Sequence, residues 1–313
     1  MSFSVVEQVE ARAVAGGWCR RPTKVLAYNN FDRTTSSVLL SIFSSDGTEP
    51  AVVAKLCAKV EHLAREFENL RAVRRAVPEV APLPLFLDRV GGYGVLGMKA
   101  VHGGGVSGWA ECRDRLPAVV DLLVRVHGAL REMDGREDGL RRSVEDALQC
   151  LAGHKQDLRT WAAAARVSEE VMAAVEKGRL PLIPQHGDFY LRNILFRGRE
   201  VFVIDWEDFG EVCVPGYDLF SLFLDFFVPW KAGGTDRFFG DARLAEVLRT
   251  ATRAYFKALE VPLDLAGALL GFTVIRRFTY SEQMGRSASG RLRQRVQGYF
   301  ENGERFARMV AGL

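Results

Sequence analysis

One segment narrows the possible folds of this chain more than any other. It reads HGDFYLRNILF over residues 186–196 and, after a turn, VFVIDWE over residues 201–207. An acid, Asp188, and an amide, Asn193, stand in an otherwise apolar run. Arg197-Gly198-Arg199 is a turn signal, and the apolar strand VFVI then delivers a second acid, Asp205. Asp and Asn are favoured in turns for local reasons, which accounts for either residue alone. It does not account for an acid, an amide five residues on, and an acid at the end of the next strand.

Composition sets the frame for that segment. A chain of 313 residues exceeds what one small core uses, which predicts one large domain or two lobes. It is 48% hydrophobic and 26% charged, as a globular chain should be. A net charge of +3 is too small to argue for nucleic acid. The five cysteines are scattered and form no C-x-x-C pair, so reduced thiols are expected rather than a disulfide framework or a thiolate metal site. The first residues, MSFSVVEQVEARAV, do not read as a signal peptide. The longest uncharged apolar run, LAGALLGFTVI at 265–275, falls short of the roughly 20 residues a membrane span needs. The expectation is a cytoplasmic protein with no membrane and no nucleic-acid partner.

The chain changes character along its length. SSVLLSIF (36–43) and AVVAKLC (51–57) read as two strands, joined across an Asp46-Gly47 hairpin signal. Leu63, Phe67, Leu70 and Val73 then recur at helical spacing with charges on the other face. GGYGVLGMKAV (91–101) reads as a further hairpin and strand, and HGGGVSG (102–108) as a linker. Beyond it the pattern is helical, except for the loop–strand–turn–strand of residues 183–204. The predicted fold class is α+β: a small β-rich lobe over 1–102 and a larger, mainly helical lobe over 103–313.

Phosphoryl transfer asks a protein for a group that orients or deprotonates the attacking hydroxyl, for Mg²⁺ ligands, and for a cation on the nucleotide phosphates. Protein kinases meet this with H-R-D-x-x-x-x-N followed by a metal-binding Asp. Here His186-Gly187-Asp188, four residues and Asn193 reproduce the spacing, and Asp205 follows. Mg²⁺ takes oxygen ligands and only a few from protein, which fits Asn193 and Asp205 and leaves Asp188 to accept a proton.

With IDWE at 204–207 and PGYDLFSL at 215–222, this set closely resembles the aminoglycoside phosphotransferase and choline kinase group, small-molecule kinases with a protein-kinase-like fold. The resemblance spans residues 25–230. It implies Asp188 as catalytic base, Asn193 and Asp205 as Mg²⁺ ligands, and His186 and Asp218 as supports of the catalytic segment. It makes Lys55, on the strand VVAKL, the partner of the nucleotide phosphates. Glu66 in LAREFENL becomes the acid that pairs with Lys55, with Glu68 as the alternative on a different helical face. Met98, Lys99 and Val101 match the strand and hinge that meet the adenine. The loop YNNFDRTTSS (28–37) stands where protein kinases place glycines, and it has none. There the hydroxyls of Thr34, Thr35 and Ser36 are the expected phosphate caps, with Arg33 adding charge.

These readings imply transfer of a γ-phosphate from ATP or GTP, with Mg²⁺, to a hydroxyl of a small molecule. That acceptor is a sugar derivative, a metabolite or an aminoglycoside-type antibiotic. Glu207 and Asp208 sit beside the segment as candidate substrate contacts. Residues 251–313, however, hold nine Arg and one Lys against four Glu and one Asp, a balance that suits a neutral or acidic acceptor better than a polycation. The basic stretch from Arg276 onward is either a solvated surface or a lip for an anion. Two rival readings stand beside this one. A protein kinase would have D-F-G at its metal-binding Asp and an A-P-E element beyond; here Asp205 is followed by Trp206-Glu207, the D-F-G at 208–210 stands three residues further on, and there is no A-P-E. A nucleotide or metabolite binder without turnover would have no use for Asp188.

Overall fold

The computed structural model describes residues 3–21, 23–29, 37–45, 47–106, 109–131, 140–141, 144–146, 149, 158–224, 242–283 and 308–309. Its contacts divide the chain into two compact units. The first is Met1–Gly105 with Asn193–Asp208, and the second is Val106–Arg192 with Phe209–Leu313. A single cut in the sequence cannot represent this division, because the hairpin after Asn193 returns to the first unit.

The first unit is built on a five-stranded antiparallel sheet in the order β1-β2-β3-β5-β4. Its strands are β1 (Thr23–Asn29), β2 (Val38–Ser44), β3 (Val52–Cys57), β4 (Pro84–Val90) and β5 (Tyr93–Lys99). Successive strand side chains point to opposite faces, and that alternation sorts β3. Val52, Ala54 and Leu56 join Leu40, Ile42, Phe86 and Val95 in one core, which is closed by Val5, Val9 and Ala13 of helix α1 (Phe3–Ala15). Lys55 faces the other way, toward helix α2 (Val60–Ala76), which packs on β3, β4 and β5 through its buried Leu63, Glu66, Leu70 and Val73. The N-terminal helix is a structural addition to the strand-rich reading of the first hundred residues. Its 4-residue spacing, Val5-Val9-Ala13, is the signal in the sequence.

Gly97 shows how tightly this sheet is packed. A Cβ placed there would come within 2.1 Å of the Phe86 ring. That ring stacks on Trp18, with centroids 5.2 Å apart and planes at 12°. Gly97 gives the ring its room, one residue before Met98.

The hairpin β6 (Ile194–Arg197) and β7 (Glu200–Val203) completes the unit. Gly104 exchanges both backbone hydrogen bonds with Phe196, each 2.9 Å, and the Val203 N–H donates to the Val80 carbonyl at 2.9 Å. The glycine stretch expected to act as a linker is therefore held in register along β6 at Gly104.

In the second unit the described helices are α3 (Trp109–Leu130), α4 (Leu158–Glu176), α5 (Tyr217–Leu222), α6 (Ala242–Ala258) and α7 (Ala266–Gln283). α7 packs on α4 and α5, and α3 on α6. Phe220 and Phe223 are fully buried, while Phe226 and Phe227 lie outside the described residues. No helix among the described residues is long and apolar enough to cross a membrane.

Gly97→Ala is expected to force the Phe86 ring off Trp18 and to cost about 1–3 kcal/mol, read as a lower urea midpoint with an unchanged slope. Wild-type stability in this variant would show that the ring moves aside freely.

Candidate active site

A lysine in a buried strand must find negative charge, because an unpaired buried cation is costly. Lys55 is 5% exposed. Its Nζ donates to Glu66 Oε2 at 2.9 Å, to Asp205 Oδ1 at 3.0 Å and to Glu207 Oε2 at 2.7 Å. Burial works against its charge, but the three carboxylates outweigh burial and hold its pKa well above the ordinary lysine value. Glu66 is fully enclosed. Burial pushes its carboxyl up, the Lys55 charge pulls it back, and the neighbouring acids leave it at about 7. The lysine therefore stays cationic.

The hairpin delivers the other members. Antiparallel pairing sets Ile194 opposite Val203, and the Ile204 N–H donates to the Asn193 carbonyl at 2.9 Å. Asn193 and Asp205 thus meet at the open end of the hairpin, twelve positions apart in sequence. Asn193 is buried. Asp205 has φ 67°, a left-handed conformation that costs a non-glycine residue about 1–2 kcal/mol. Such strain persists only where surrounding structure enforces it; here Asp205 is held by Lys55. Trp206 secures the next position. Its indole N–H donates to the Val203 carbonyl at 2.8 Å, and its own carbonyl accepts from Asn69 Nδ2 at 2.8 Å.

Glu207 and Asp208 belong to this first unit. Glu207 is engaged by Lys55, and Asp208 is buried with Arg65 at 4.0 Å. Glu207 was legible as a neighbour of Asp205 two residues on, but its tie to Lys55 needed the fold. Carboxylate oxygens of Glu66, Asp205 and Glu207 lie within 4.8 Å of one another. Three carboxyls against one lysine leave surplus negative charge on hard oxygen donors. That donor set, with the amide oxygen of Asn193 close by in the chain, fits Mg²⁺.

At the hinge, Met98 is buried. The Lys99 N–H donates to Leu83 at 2.8 Å and the Ala100 N–H to Ala51 at 3.1 Å. The backbone N–H groups of Lys99 and Ala100 are therefore already engaged by main-chain carbonyls. Thr34, Thr35 and Ser36, with Arg33, lie outside the described residues.

The second unit carries Asp188. Residues 186–188 are suspended from one buried carboxylate, Asp218, which is inaccessible to solvent. The His186 N–H donates to its Oδ2 at 2.7 Å and the Gly187 N–H to its Oδ1 at 3.1 Å. Gly187 has φ 90°, which an L side chain rarely adopts, so this turn calls for glycine. The Asp188 N–H donates to His186 Nδ1 at 3.2 Å, which orders the loop around the acid. The Asp188 carboxylate meets Arg192 at 2.9 Å.

His127, on α3, extends the support of Asp218. Its Nε2 lies 3.2 Å from Asp218 Oδ2 and its Nδ1 2.7 Å from the Tyr255 hydroxyl. Tyr255 in turn accepts the Gly216 N–H at 3.1 Å. Tyr255 gave no local signal in the sequence, since it arrives from α6.

Asp218→Ala would leave the buried His186 N–H, the half-buried Gly187 N–H and His127 without this acceptor. The expected loss is about 3–5 kcal/mol in urea unfolding. A loss below about 1 kcal/mol would mean that water replaces the carboxylate.

Comparison with known proteins gives the family and the fold. The family model described as "Phosphotransferase enzyme family" matches residues 42–260, more than two thirds of the chain. No curated protein matches the sequence. Among solved structures, the choline kinase of Cryptosporidium parvum Iowa II aligns with TM-score 0.62 at 13% identity, over 98% of this chain and 99% of that one. The ADP-bound aminoglycoside phosphotransferase APH(2'')-Ib aligns with TM-score 0.55 at 14% identity, over 99% of each chain. The amicoumacin kinase hAmiN in complex with AMP-PNP, Ca²⁺ and Ami aligns with TM-score 0.57 at 13% identity, over 96% of this chain and 93% of that one. The sheet-based first unit and helical second unit are those of the kinase-like fold, and the chain is a phosphotransferase that belongs to the phosphotransferase enzyme family.

Proposed function

We propose that this chain moves the γ-phosphate of ATP or GTP to a hydroxyl of a small molecule. The observation that carries the reading is the cluster at Lys55: a buried cation held by Glu66 and Asp205, all within the residues that the phosphotransferase family model matches. Neighbours of this fold bind ADP or AMP-PNP, which supports a nucleotide co-substrate.

Lys55 supplies a fixed positive charge for the nucleotide phosphates, and Glu66 keeps it extended toward them. Asn193 and Asp205 would hold Mg²⁺, which neutralises charge on the phosphate oxygens when bound. Asp188 accepts the proton of the acceptor hydroxyl. The new bond joins that oxygen to the γ-phosphorus, the bond from the γ-phosphorus to the bridging oxygen breaks, and the nucleoside diphosphate leaves. The chain's contribution is positioning and preorganised charge. Asp218 serves it by fixing the 186–188 backbone from which Asp188 projects.

Two variants test the assignments. Asp188→Asn is expected to fold and bind nucleotide while losing about 10²–10⁴ in kcat, the span of general-base contributions. Turnover at the wild-type rate would remove Asp188 from the chemistry. Asp205→Ala is expected to weaken Mg²⁺-dependent nucleotide binding in calorimetric titrations with ATP and GTP. An unchanged Mg²⁺ dependence would refute its role as a ligand.

A further inference from the structure

Arginines gather where the acceptor would meet Asp188. Tyr190 follows Asp188 by two residues, and its N–H donates to the Asp188 carbonyl at 3.0 Å. Two guanidinium groups lie over its ring: Arg192 at 4.7 Å and Arg277 at 4.8 Å from the centroid. Arg192 also contacts the Asp188 carboxylate. Arg277 comes from α7 and is fixed by donation from Nη1 to the Ser221 carbonyl at 3.1 Å.

Arg276, its neighbour, is the informative member. Its Nε and Nη1 are buried and have no hydrogen-bond partner among the described residues. Its guanidinium carbon lies 5.9 Å from the Tyr280 ring centroid. Tyr217, fully buried, senses Arg276 and Arg277 together with Tyr190, so the four side chains share one neighbourhood. Buried N–H donors without acceptors are costly. An oxyanion supplies the acceptors that Arg276 lacks, and the planar guanidinium fork matches carboxylate or phosphate geometry. A cationic acceptor supplies none.

We infer that Tyr190, Arg192, Arg276 and Arg277 form the acceptor subsite, and that the acceptor is a hydroxylated molecule carrying a carboxylate or phosphate group. The inference rests on the phosphotransfer reading and on Asp188 as its base. The anionic group docks on the arginines and the hydroxyl is presented to Asp188, so the product is a phosphate ester of an already acidic compound. This separates the chain from relatives of its fold that act on aminoglycosides or choline, as their names state.

The test uses the full chain with Mg²⁺ and γ-labelled ATP or GTP. The probes are D-gluconate, D-glucose 6-phosphate, neutral D-glucitol and cationic kanamycin. The expected result is label transfer to gluconate or glucose 6-phosphate, with kcat/KM at least about tenfold above that for the other two, the scale of one lost charge-assisted contact. The two acids then distinguish carboxylate from phosphate. Arg276→Gln and Arg277→Gln should each raise KM for the preferred acid about tenfold with little change in kcat, and lysine at either position should restore part of the loss. Preference for glucitol or kanamycin, failure of both acids to accept label, or unchanged KM in both variants would overturn the inference. Calorimetry with Mg²⁺-nucleotide on the same preparation separates the two levels. Absence of nucleotide binding brings down the phosphotransfer reading itself, whereas nucleotide binding with transfer confined to neutral or cationic acceptors removes the acidic-acceptor inference alone.

Discussion

The Lys55 ammonium group is the constraint on which the first unit depends. A cation placed in an apolar strand fixes more than its own surroundings. It requires β3 to keep the register that turns Val52, Ala54 and Leu56 into the core and Lys55 out of it. It requires α2 to present an acid on its buried face, and Glu66 stands between Leu63 and Leu70 on that face. It also requires the hairpin that follows Asn193 to return and bring Asp205 and Glu207 within 3.0 Å. Removing one partner from such a group leaves an uncompensated charge, so the members are mutually dependent in a way that exposed surface pairs are not. The left-handed backbone at Asp205 is the local cost of meeting that demand.

The second unit solves the converse problem with a buried anion. Asp218 has no solvent exposure, and its oxygens are taken up by two backbone N–H groups and His127. A carboxylate that binds backbone fixes the path of the chain itself. The turn through Gly187 is therefore held from below, while Asp188 projects from it. Rigid support beneath one functional acid is what preorganisation requires.

Much of this was legible in the sequence, for physical reasons that differ by element. Hydrophobic periodicity exposed β2, β3 and α2, because one buried face imposes a period of 2 or 3.6. The Lys55–Glu66 pairing was legible because a lysine amid Val, Ala and Leu needs a partner, and the L-x-x-E-x-x-x-L spacing puts one acid on the apolar face. Family resemblance in residues 186–207 carried the reading of the fold. What escaped was long-range. His127 and Tyr255 join Asp218 from α3 and α6, across 91 and 37 residues of chain. Arg277 reaches Tyr190 from α7. No local pattern marks such contacts, since tertiary packing alone creates them. The N-terminal helix escaped for another reason: its apolar stripe, Val5-Val9-Ala13, is short and its valines also suit a strand.

The distribution of charge ties these observations to chemistry. Around Lys55 the carboxylates of Glu66, Asp205 and Glu207 outnumber the cation. Around Tyr190 the guanidinium groups dominate, with buried donors at Arg276 left unmatched among the described residues. Self-contained packing would balance each cluster internally, because unmatched buried charge and unmatched donors both cost stability. If the chain works as proposed, its ligands finish these electrostatics, a divalent cation with a nucleotide at one cluster and an anionic acceptor at the other, and the unmatched groups mark the charges those ligands bring.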